Sequence, residues 1–338
     1  MSDKENLEEQ SFFETHYIER FKPAKNGSRA RKYLDQSEEA KLLHENLLKD
    51  IFHHLSLSNT FGKESFDIKK LLNESPLIKL SKHLKPDSSA QKYYFNRHWY
   101  IVDIKDAYPS LLIDTLLLFL EEQGFPGDII ETVQDICFTP EGSLITGATC
   151  SPFLFNYYCK KKIDDVIFNE TKNYNLISTR YFDDLVFSSQ EIFGQKKRKV
   201  ILSIIRDAGF RLNNNKIRLL DLARQPIPIN GYIISYDKIK KNNVELNRSI
   251  LNNLEQIINE SMENNLAYSP KTIAARIGRL IYLADFKRSC GFTQTSKEKK
   301  IFEMYRLYKA GWSVQEYKML HKPPDERYPE SYDFDLPF

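Results

Sequence analysis

Two parts of the sequence place aspartates where buried strands are expected. Asp103 ends an apolar run, and the adjacent pair Asp183 and Asp184 interrupts a second apolar stretch 80 positions further on. Burying an unpaired carboxylate costs several kcal/mol, so such a pair persists where a cleft or a cation compensates the charge. Carboxylate oxygens suit Mg²⁺, and two Mg²⁺ ions about 3.5–4 Å apart stabilise the attacking and leaving oxygens of a phosphoryl transfer. If their strands are neighbours, these aspartates predict a two-metal site.

A glycine-containing block lies between the two acidic parts. It runs from Gly147 to Pro152 with the pattern Gly-x-x-x-Ser-Pro. Glycine allows close backbone approach and proline favours the first turn of a helix, so the block predicts a turn that opens a helix. Taken singly, a hairpin turn at Asp183–Asp184 or a helix cap at Asp103 needs no catalytic explanation. The ordered set of three blocks favours catalysis.

The elements that must position these residues follow from the apolar patterns. Residues 98–104 and 177–188 predict a strand and a strand–turn–strand hairpin, with helices after Pro109 and Pro152 between them. A basic helix, short strands and a helical C-terminal third follow. This order predicts an α+β fold.

Two local features carry their own expectations. Asp35 and Glu38 have the spacing of a capping box, so Asp35 is expected to cap a helix after a strand and turn over residues 17–33. Gly278 lies inside a helical pattern and is expected to allow close helix packing.

Composition excludes several classes of protein. The chain has 338 residues, 41% hydrophobic and 28% charged, so it can bury a core. No apolar run approaches the about 20 residues of a membrane span, and residues 1–9 are too acidic for a secretory signal. We therefore expect no membrane partner. The cysteines predict no metal pair and no disulfide framework, which favours a reduced, cytoplasmic location; they are Cys137, Cys150, Cys159 and Cys290.

Charge is unevenly distributed although the net charge is only +3. Residues 191–250 contain 13 lysines and arginines against 5 acidic residues, whereas residues 322–338 contain 2 against 5. A basic middle suits a polyanionic partner such as nucleic acid, but a solvated helix face beside an exposed tail explains the pattern equally well.

The ordered set resembles the palm of reverse transcriptases. Asp103 matches the first catalytic aspartate, the Gly147–Pro152 block is similar to the family's Gly-x-x-x-Ser-Pro block, and Tyr181–Asp184 matches the Tyr-x-Asp-Asp box. Gly209–Lys216 resembles the block that follows, and the region before Arg31 resembles a basic fingers hairpin. The resemblance covers residues 17–284. A short chain of this kind is similar to bacterial retron and group II intron enzymes, and most of all to defence-associated reverse transcriptases.

The resemblance implies a right-hand polymerase with fingers, a ferredoxin-like palm that bears the Tyr-x-Asp-Asp hairpin, and a helical thumb. Residues 1–97, with part of 110–140, would form the fingers, 98–236 the palm and 237–321 the thumb. An acidic, aromatic tail would follow over 322–338.

The resemblance also assigns roles to single residues. Asp103, Asp183 and Asp184 would be catalytic and, with the backbone carbonyl of Ile104, would hold two Mg²⁺ ions. Nucleotide-binding roles fall on eight residues: Lys25, Arg29, Arg31, Asp106, Tyr108, Gly147, Ser151 and Lys216. Tyr181, Asn230 and Gly231 would contact primer or template.

The implied activity is RNA-directed DNA synthesis from dNTPs, in antiphage defence with a dedicated non-coding RNA. The partners would be an RNA template, the DNA product and, as an open possibility, further copies of the chain. Thr146 and Phe182 depart from the family pattern, which takes glutamine and a smaller residue there. Two alternatives therefore stay open: an RNA-binding scaffold with a vestigial site, and template-independent or protein-primed synthesis.

Overall fold

The computed structural model describes residues 12–22, 31–57, 75–87, 92–237, 241–263 and 268–320. Within them helices and strands are mixed, in agreement with the predicted α+β class. No described helix is long and apolar enough to cross a bilayer. The chain divides into two compact units: residues 1–83 with 96–220, and residues 84–95 with 221–338.

The elements up to the second acidic block are α1 (Phe12–His16), β1 (Tyr17–Lys22), β2 (Arg31–Gln36), α2 (Glu38–Leu57), α3 (Pro76–Ser81), β3 (Leu84–Asp87), β4 (Lys92–Phe95), β5 (His98–Asp103), α4 (Ile113–Glu122), α5 (Gly127–Ile136), α6 (Ser151–Cys159), α7 (Asp165–Thr171) and β6 (Ile177–Tyr181). The remaining elements are β7 (Asp184–Ser189), α8 (Gln195–Asp207), β8 (Arg218–Asp221), β9 (Ile227–Ile229), β10 (Tyr232–Asp237), β11 (Lys241–Leu246), α9 (Arg248–Glu263), α10 (Pro270–Cys290), α11 (Ser296–Lys309) and α12 (Val314–Leu320).

Strands β5 to β8 form a four-stranded sheet with the spatial order β6-β7-β5-β8. Both β5 and β6 run antiparallel to β7. Helices connect β5 to β6 and β7 to β8, which is the order of a split βαββαβ unit. Strand β7 is buried from Leu185 to Ser189, and β5 buries Trp99, Tyr100 and Val102. These continuous apolar runs explain why both strands lie inside the sheet.

Helix α6 is the centre of the first unit's core. Every residue from Phe153 to Cys159 is buried, as expected for a helix that is apolar on all sides. Its Phe153 and Tyr157 rings stack with centroids 5.8 Å apart, and Phe119 of α4 lies 5.4 Å from Tyr157. This aromatic core supports the sheet edge at which β5 ends.

The start of α2 differs from the prediction. Ser37, not Asp35, caps the helix, because its hydroxyl accepts the Ala40 N–H at 3.1 Å. Asp35 still belongs to β2, where its carboxylate lies 2.7 Å from Arg20 of β1. Pairing across the hairpin keeps the backbone extended for longer than the local capping pattern indicates.

The second unit holds the three-stranded sheet β11-β10-β9, the β3–β4 hairpin and helices α9 to α12. Its boundary after Leu220 lies inside the range 98–236 assigned to a palm, because β9 and β10 pair with β11 and not with the four-stranded sheet. The ranges of fingers, palm and thumb, and the tail over 322–338, stay predictions.

The role expected of Gly278 is wrong. A Cβ built on this residue has no atom within 4 Å, so no neighbour requires a glycine there. Helix α10 instead packs through larger side chains, among them Ile273, Ile277 and Leu280, which are buried.

A buried ion pair joins α10 to the start of α11. Lys287 Nζ lies 2.7 Å from Glu298 Oε2, and both side chains are 1% exposed. Lys287 also donates to the Thr293 carbonyl at 3.1 Å, and Glu298 completes a capping box with Thr295. Burial lowers the pKa of Lys287, while Glu298 opposes that shift. The pair is therefore worth most as a unit, since either partner alone would be a buried, uncompensated charge.

We expect Lys287→Met to lower the free energy of unfolding of the second unit by about 3–5 kcal/mol, because it leaves the Glu298 carboxylate buried and unpaired. Urea denaturation measures this loss. The neighbouring Arg288→Met is the matched control: its ion pair with Asp285 is exposed, so the expected loss is below about 1 kcal/mol. Equal losses for both variants would contradict the prediction.

Candidate active site

Strand pairing brings the predicted aspartates together. Asp103 is the last residue of β5 and Asp184 the first of β7, and the two are direct partners in the antiparallel register. Asp183 lies in the two-residue turn between β6 and β7, and its carbonyl accepts the Ile104 N–H at 3.0 Å. Residues 80 positions apart thus share one sheet edge. Their catalytic role stays a prediction.

The carboxylates repel one another. Burial and, after it, the negative charges of Asp183 and Asp103 together raise the pKa of Asp184 from 3.8 to about 6. Asp103 itself is only 3% exposed. This edge of the sheet therefore holds more negative charge than its surroundings stabilise, which is the condition under which cations bind.

Lys216 supplies part of the compensation. Its ammonium nitrogen lies 2.7 Å from Asp103 Oδ2, and its charge opposes the rise in the pKa of Asp184. The Asn213 N–H donates to the Asp103 carbonyl at 2.9 Å, so the turn at Asn214–Lys216 is fastened to the end of β5. Lys216 thus pairs with Asp103 in this structure, and the nucleotide-binding role predicted for it stays a prediction.

The turn that carries Asp183 is strained and is held by Arg180. Phe182 has φ +52°, which is costly for a bulky residue. Arg180 donates to the Phe182 carbonyl at 3.0 Å and to Asn156 Oδ1 at 2.7 Å. Its Nε and Nη2 atoms also donate to the two carboxylate oxygens of Asp164, at 2.9 and 2.8 Å. This bidentate pair holds the guanidinium in place. The guanidinium then stabilises the β6–β7 turn through its bond to the Phe182 carbonyl.

Arg180 and Asp164 are not among the residues predicted from the sequence. The signal that could have indicated them is an arginine inside a strand, directly before the Tyr-x-Asp-Asp box, because a buried charged residue needs a partner. Lys79 was not predicted either. It donates to the Arg180 carbonyl, and its ammonium lies 5.9 Å from the centre of the Tyr181 ring.

Tyr108 lies near the carboxylates. Burial raises its pKa, and the charge of Asp183 raises it further. Its ring packs against Phe155 of α6 at 5.1 Å, which holds it in place. Asp106 is exposed with φ +47°, and its carbonyl accepts the Ser110 N–H at 2.8 Å. The nucleotide contacts expected of Tyr108 and Asp106 stay predictions.

The Gly147–Pro152 block forms the predicted turn into a helix, α6. Gly147 has φ +115°, and a Cβ there would overlap the Leu34 carbonyl oxygen of β2. The protein's own hairpin thus makes a close approach that requires glycine. Ser151, the first residue of α6, is fully buried, and its hydroxyl has no partner among the described residues. The nucleotide-binding roles of Gly147 and Ser151 stay predictions.

The remaining predicted residues belong to other parts of the chain. Lys25 and Arg29 fall outside the described residues, and Arg31 is described only as backbone of β2. Asn230 and Gly231 belong to the second unit, where both have positive φ in the turn between β9 and β10. An Asn-Gly turn of this kind is the typical two-residue hairpin connection. Their contact with primer or template stays a prediction.

The three aspartates offer carboxylate oxygens, which are the ligands that Mg²⁺ prefers. Among the described residues, one oxygen from each aspartate does not give a group within 4.8 Å. Their role as ligands of metal ions stays a prediction.

Comparisons with known proteins give no family. No family model matches the sequence, and no curated protein matches it. An apo telomerase from Candida tropicalis, truncated from its C-terminal domain, has a TM-score of 0.38 with 14% identity, covering 68% of this chain and 55% of that chain. Telomerases from Candida albicans and Candida tropicalis, solved with a TWJ fragment of telomeric RNA, have TM-scores of 0.41 and 0.46 with 12% and 14% identity, covering 90% of this chain and 60% of theirs.

The chain thus spans somewhat more than half the length of these telomerase chains. Likeness at these TM-scores establishes neither the fold nor the activity. The geometry of the carboxylates has to support any functional proposal.

The raised pKa of Asp184 predicts a pH dependence of stability. A carboxyl with a folded-state pKa of about 6 and an unfolded-state value of 3.8 destabilises the folded chain as the pH rises through that window. In EDTA we therefore expect Asp184→Asn to have a higher Tm than the parent at pH 7, and this difference to shrink towards pH 4. Thermal melts across that range measure it. Asp50→Asn, at an exposed position on α2, should leave the parent's profile unchanged; an Asp184→Asn profile parallel to the parent's would refute the prediction.

Proposed function

We propose that this protein is an RNA-directed DNA polymerase, a nucleotidyltransferase that adds dNTPs to a primer end with two Mg²⁺ ions. The observation that carries the proposal is the pairing of Asp103 with Asp184 at the ends of adjacent buried strands, with Asp183 in the turn beside them. A sheet edge that concentrates three carboxylates is costly to fold. Bound cations, with the phosphates that they coordinate, would offset this cost.

Asp103, Asp183, Asp184 and the Ile104 carbonyl would hold the metals. When bound, Mg²⁺ stabilises the negative charge that develops on the reacting oxygens. The raised pKa of Asp184 supports this assignment, because burial first, and then the neighbouring carboxylates, disfavour its charged form when no cation is bound. The four-stranded sheet would be the palm, and the C-terminal helices would be the thumb.

The chain's own residues would orient the reactants. Arg180 holds the turn that presents Asp183 through its bond to the Phe182 carbonyl. Lys216 keeps Asp103 neutralised until a nucleotide arrives, and its ammonium is then available for the negative charge of the leaving pyrophosphate. Lys25, Arg29 and Arg31 would bind the triphosphate, for which guanidinium groups are suited.

The biological setting is a finer proposal. The basic surplus of residues 191–250 supports a nucleic-acid partner, and the resemblance to defence-associated reverse transcriptases suggests a dedicated non-coding RNA and a role against phage. Sequencing of nucleic acid that copurifies with the protein should give one enriched transcript. A random profile of cellular RNA would argue against this setting.

Primer extension on an RNA template tests the activity. Changing a residue that only supports the ligands of a metal site typically lowers activity about 10- to 100-fold. Because Asp183 and Asp184 would be ligands themselves, we expect Asp183→Asn and Asp184→Asn each to reduce dNTP incorporation by a larger factor. Asp50→Asn should retain full activity. Undiminished extension by both site variants would refute the proposal. Tight RNA binding by the parent chain without Mg²⁺-dependent incorporation would instead favour the scaffold alternative, and products unrelated to the template would favour template-independent synthesis.

Tyr108 provides a separate test of nucleotide choice. If its ring lies under the incoming sugar, as the resemblance implies, it excludes a 2′-hydroxyl. We expect Tyr108→Ala to raise rNTP incorporation relative to dNTP by about tenfold or more. Tyr108→Phe keeps the ring and should retain the parent's selectivity. The ratio of kcat/KM for the two substrates measures this, and an unchanged ratio in Tyr108→Ala would remove Tyr108 from the nucleotide site.

A further inference from the structure

A second cluster of chemically active side chains lies in the core of the first unit. It consists of His44 on α2, Cys137 just after α5 and Cys150 just before α6. All three residues have no solvent exposure. The cysteine spacing predicted no metal pair, but the fold adds a histidine from a distant helix.

The three donor atoms lie close together. His44 Nδ1 is 2.8 Å from Cys150 Sγ, which is 3.1 Å from Cys137 Sγ, and all three atoms lie within 4.8 Å of one another. Zinc binds thiolate sulfur at about 2.3 Å and imidazole nitrogen at about 2.0–2.1 Å, so donors on one tetrahedral ion lie about 3.5–3.8 Å apart. Shifts of less than about 1 Å would convert the present contacts into that spacing.

Tyr17 orients the histidine. Its hydroxyl forms a hydrogen bond with His44 Nε2, on the side of the ring away from the sulfurs. A proton on Nε2 leaves the lone pair of Nδ1 directed towards Cys150. Metal-binding histidines commonly use their second nitrogen in this way, since such a bond fixes the tautomer and the ring orientation.

The donor types select the metal. Two thiols and an imidazole suit zinc, and they bind Mg²⁺ poorly. No further His, Cys, Asp or Glu joins the three among the described residues, so a fourth position would take a water molecule. Two thiolates would balance the charge of a divalent ion.

The cluster sits where the β1–β2 hairpin meets the start of α6. Beside it, Tyr17, Leu34, Ile145 and Ala148 pack together as a small group of buried residues under the hairpin. The Gln36 side chain accepts the N–H of Thr149, the residue before Cys150, at 3.2 Å. Cys137 and Cys150 themselves belong to the large hydrophobic core of the first unit, which shields the three donors from bulk water.

We propose that His44, Cys137 and Cys150 form a binding site for one zinc ion, which ties α2 to the end of α5 and the start of α6. This proposal does not depend on the polymerase assignment. It concerns a different metal, different residues and a different part of the first unit.

The metal content of the native full-length chain is the first test. Protein purified without chelators should contain about one zinc per chain by mass spectrometry, and reconstitution with Co²⁺ should give the thiolate-to-metal absorption of a tetrahedral site, which zinc then displaces. Neither measurement needs a variant, so a variant that misfolds cannot obscure the result. A native chain that holds no zinc and binds no Co²⁺ overturns the proposal, whether alkylation then finds two free thiols or a Cys137–Cys150 disulfide.

Variants locate the site. In Cys137→Ser and in Cys150→Ser, the zinc content per chain should fall by at least tenfold. Chelation should no longer lower the Tm of either variant. Cys290→Ser is the matched control, because Cys290 is also a free, buried cysteine but belongs to the second unit. It should keep the zinc content and the chelator-sensitive Tm of the parent. Zinc that persists in both site variants would place the metal elsewhere and refute the assignment.

Discussion

The antiparallel pairing of β5 with β7 is the constraint on which the candidate active site depends. In this register Asp103 lies opposite Asp184, and the tight turn before β7 adds Asp183. A shift of one residue would turn each side chain to the opposite face and separate the carboxylates. Both strands are buried by apolar side chains, so the hydrophobic core enforces a register that electrostatic repulsion opposes.

The surrounding residues offset that repulsion without removing it. Lys216 neutralises Asp103 directly, and Arg180 acts indirectly, because it holds the Phe182 carbonyl and with it the strained turn. The pKa of Asp184 nevertheless stays high, at about 6. Replacing one of these acids with a neutral residue would relieve the repulsion and stabilise the folded chain. Their retention at the edge of a well-packed core is the physical reason to expect a cation-dependent function.

Much of the site's framework could be predicted from local patterns. Continuous apolar runs predicted β5 and the β6–β7 hairpin, and residues 227–236 form the short strands expected there, with an Asn-Gly turn. Predictions failed where distant residues decided the outcome. Asp35, expected to cap α2, instead pairs with Arg20 across the β1–β2 hairpin.

By itself the sequence determined which side chains can carry chemistry and which segments become strands, turns and helices, because hydrophobic period and turn residues act over a few positions. Only the tertiary structure decided which of these side chains meet. Arg180 pairs with Asp164, and His44 contacts Cys150, which lies 106 positions further along the chain. Such contacts depend on sheet register and helix packing, which the whole core sets and no local spacing encodes.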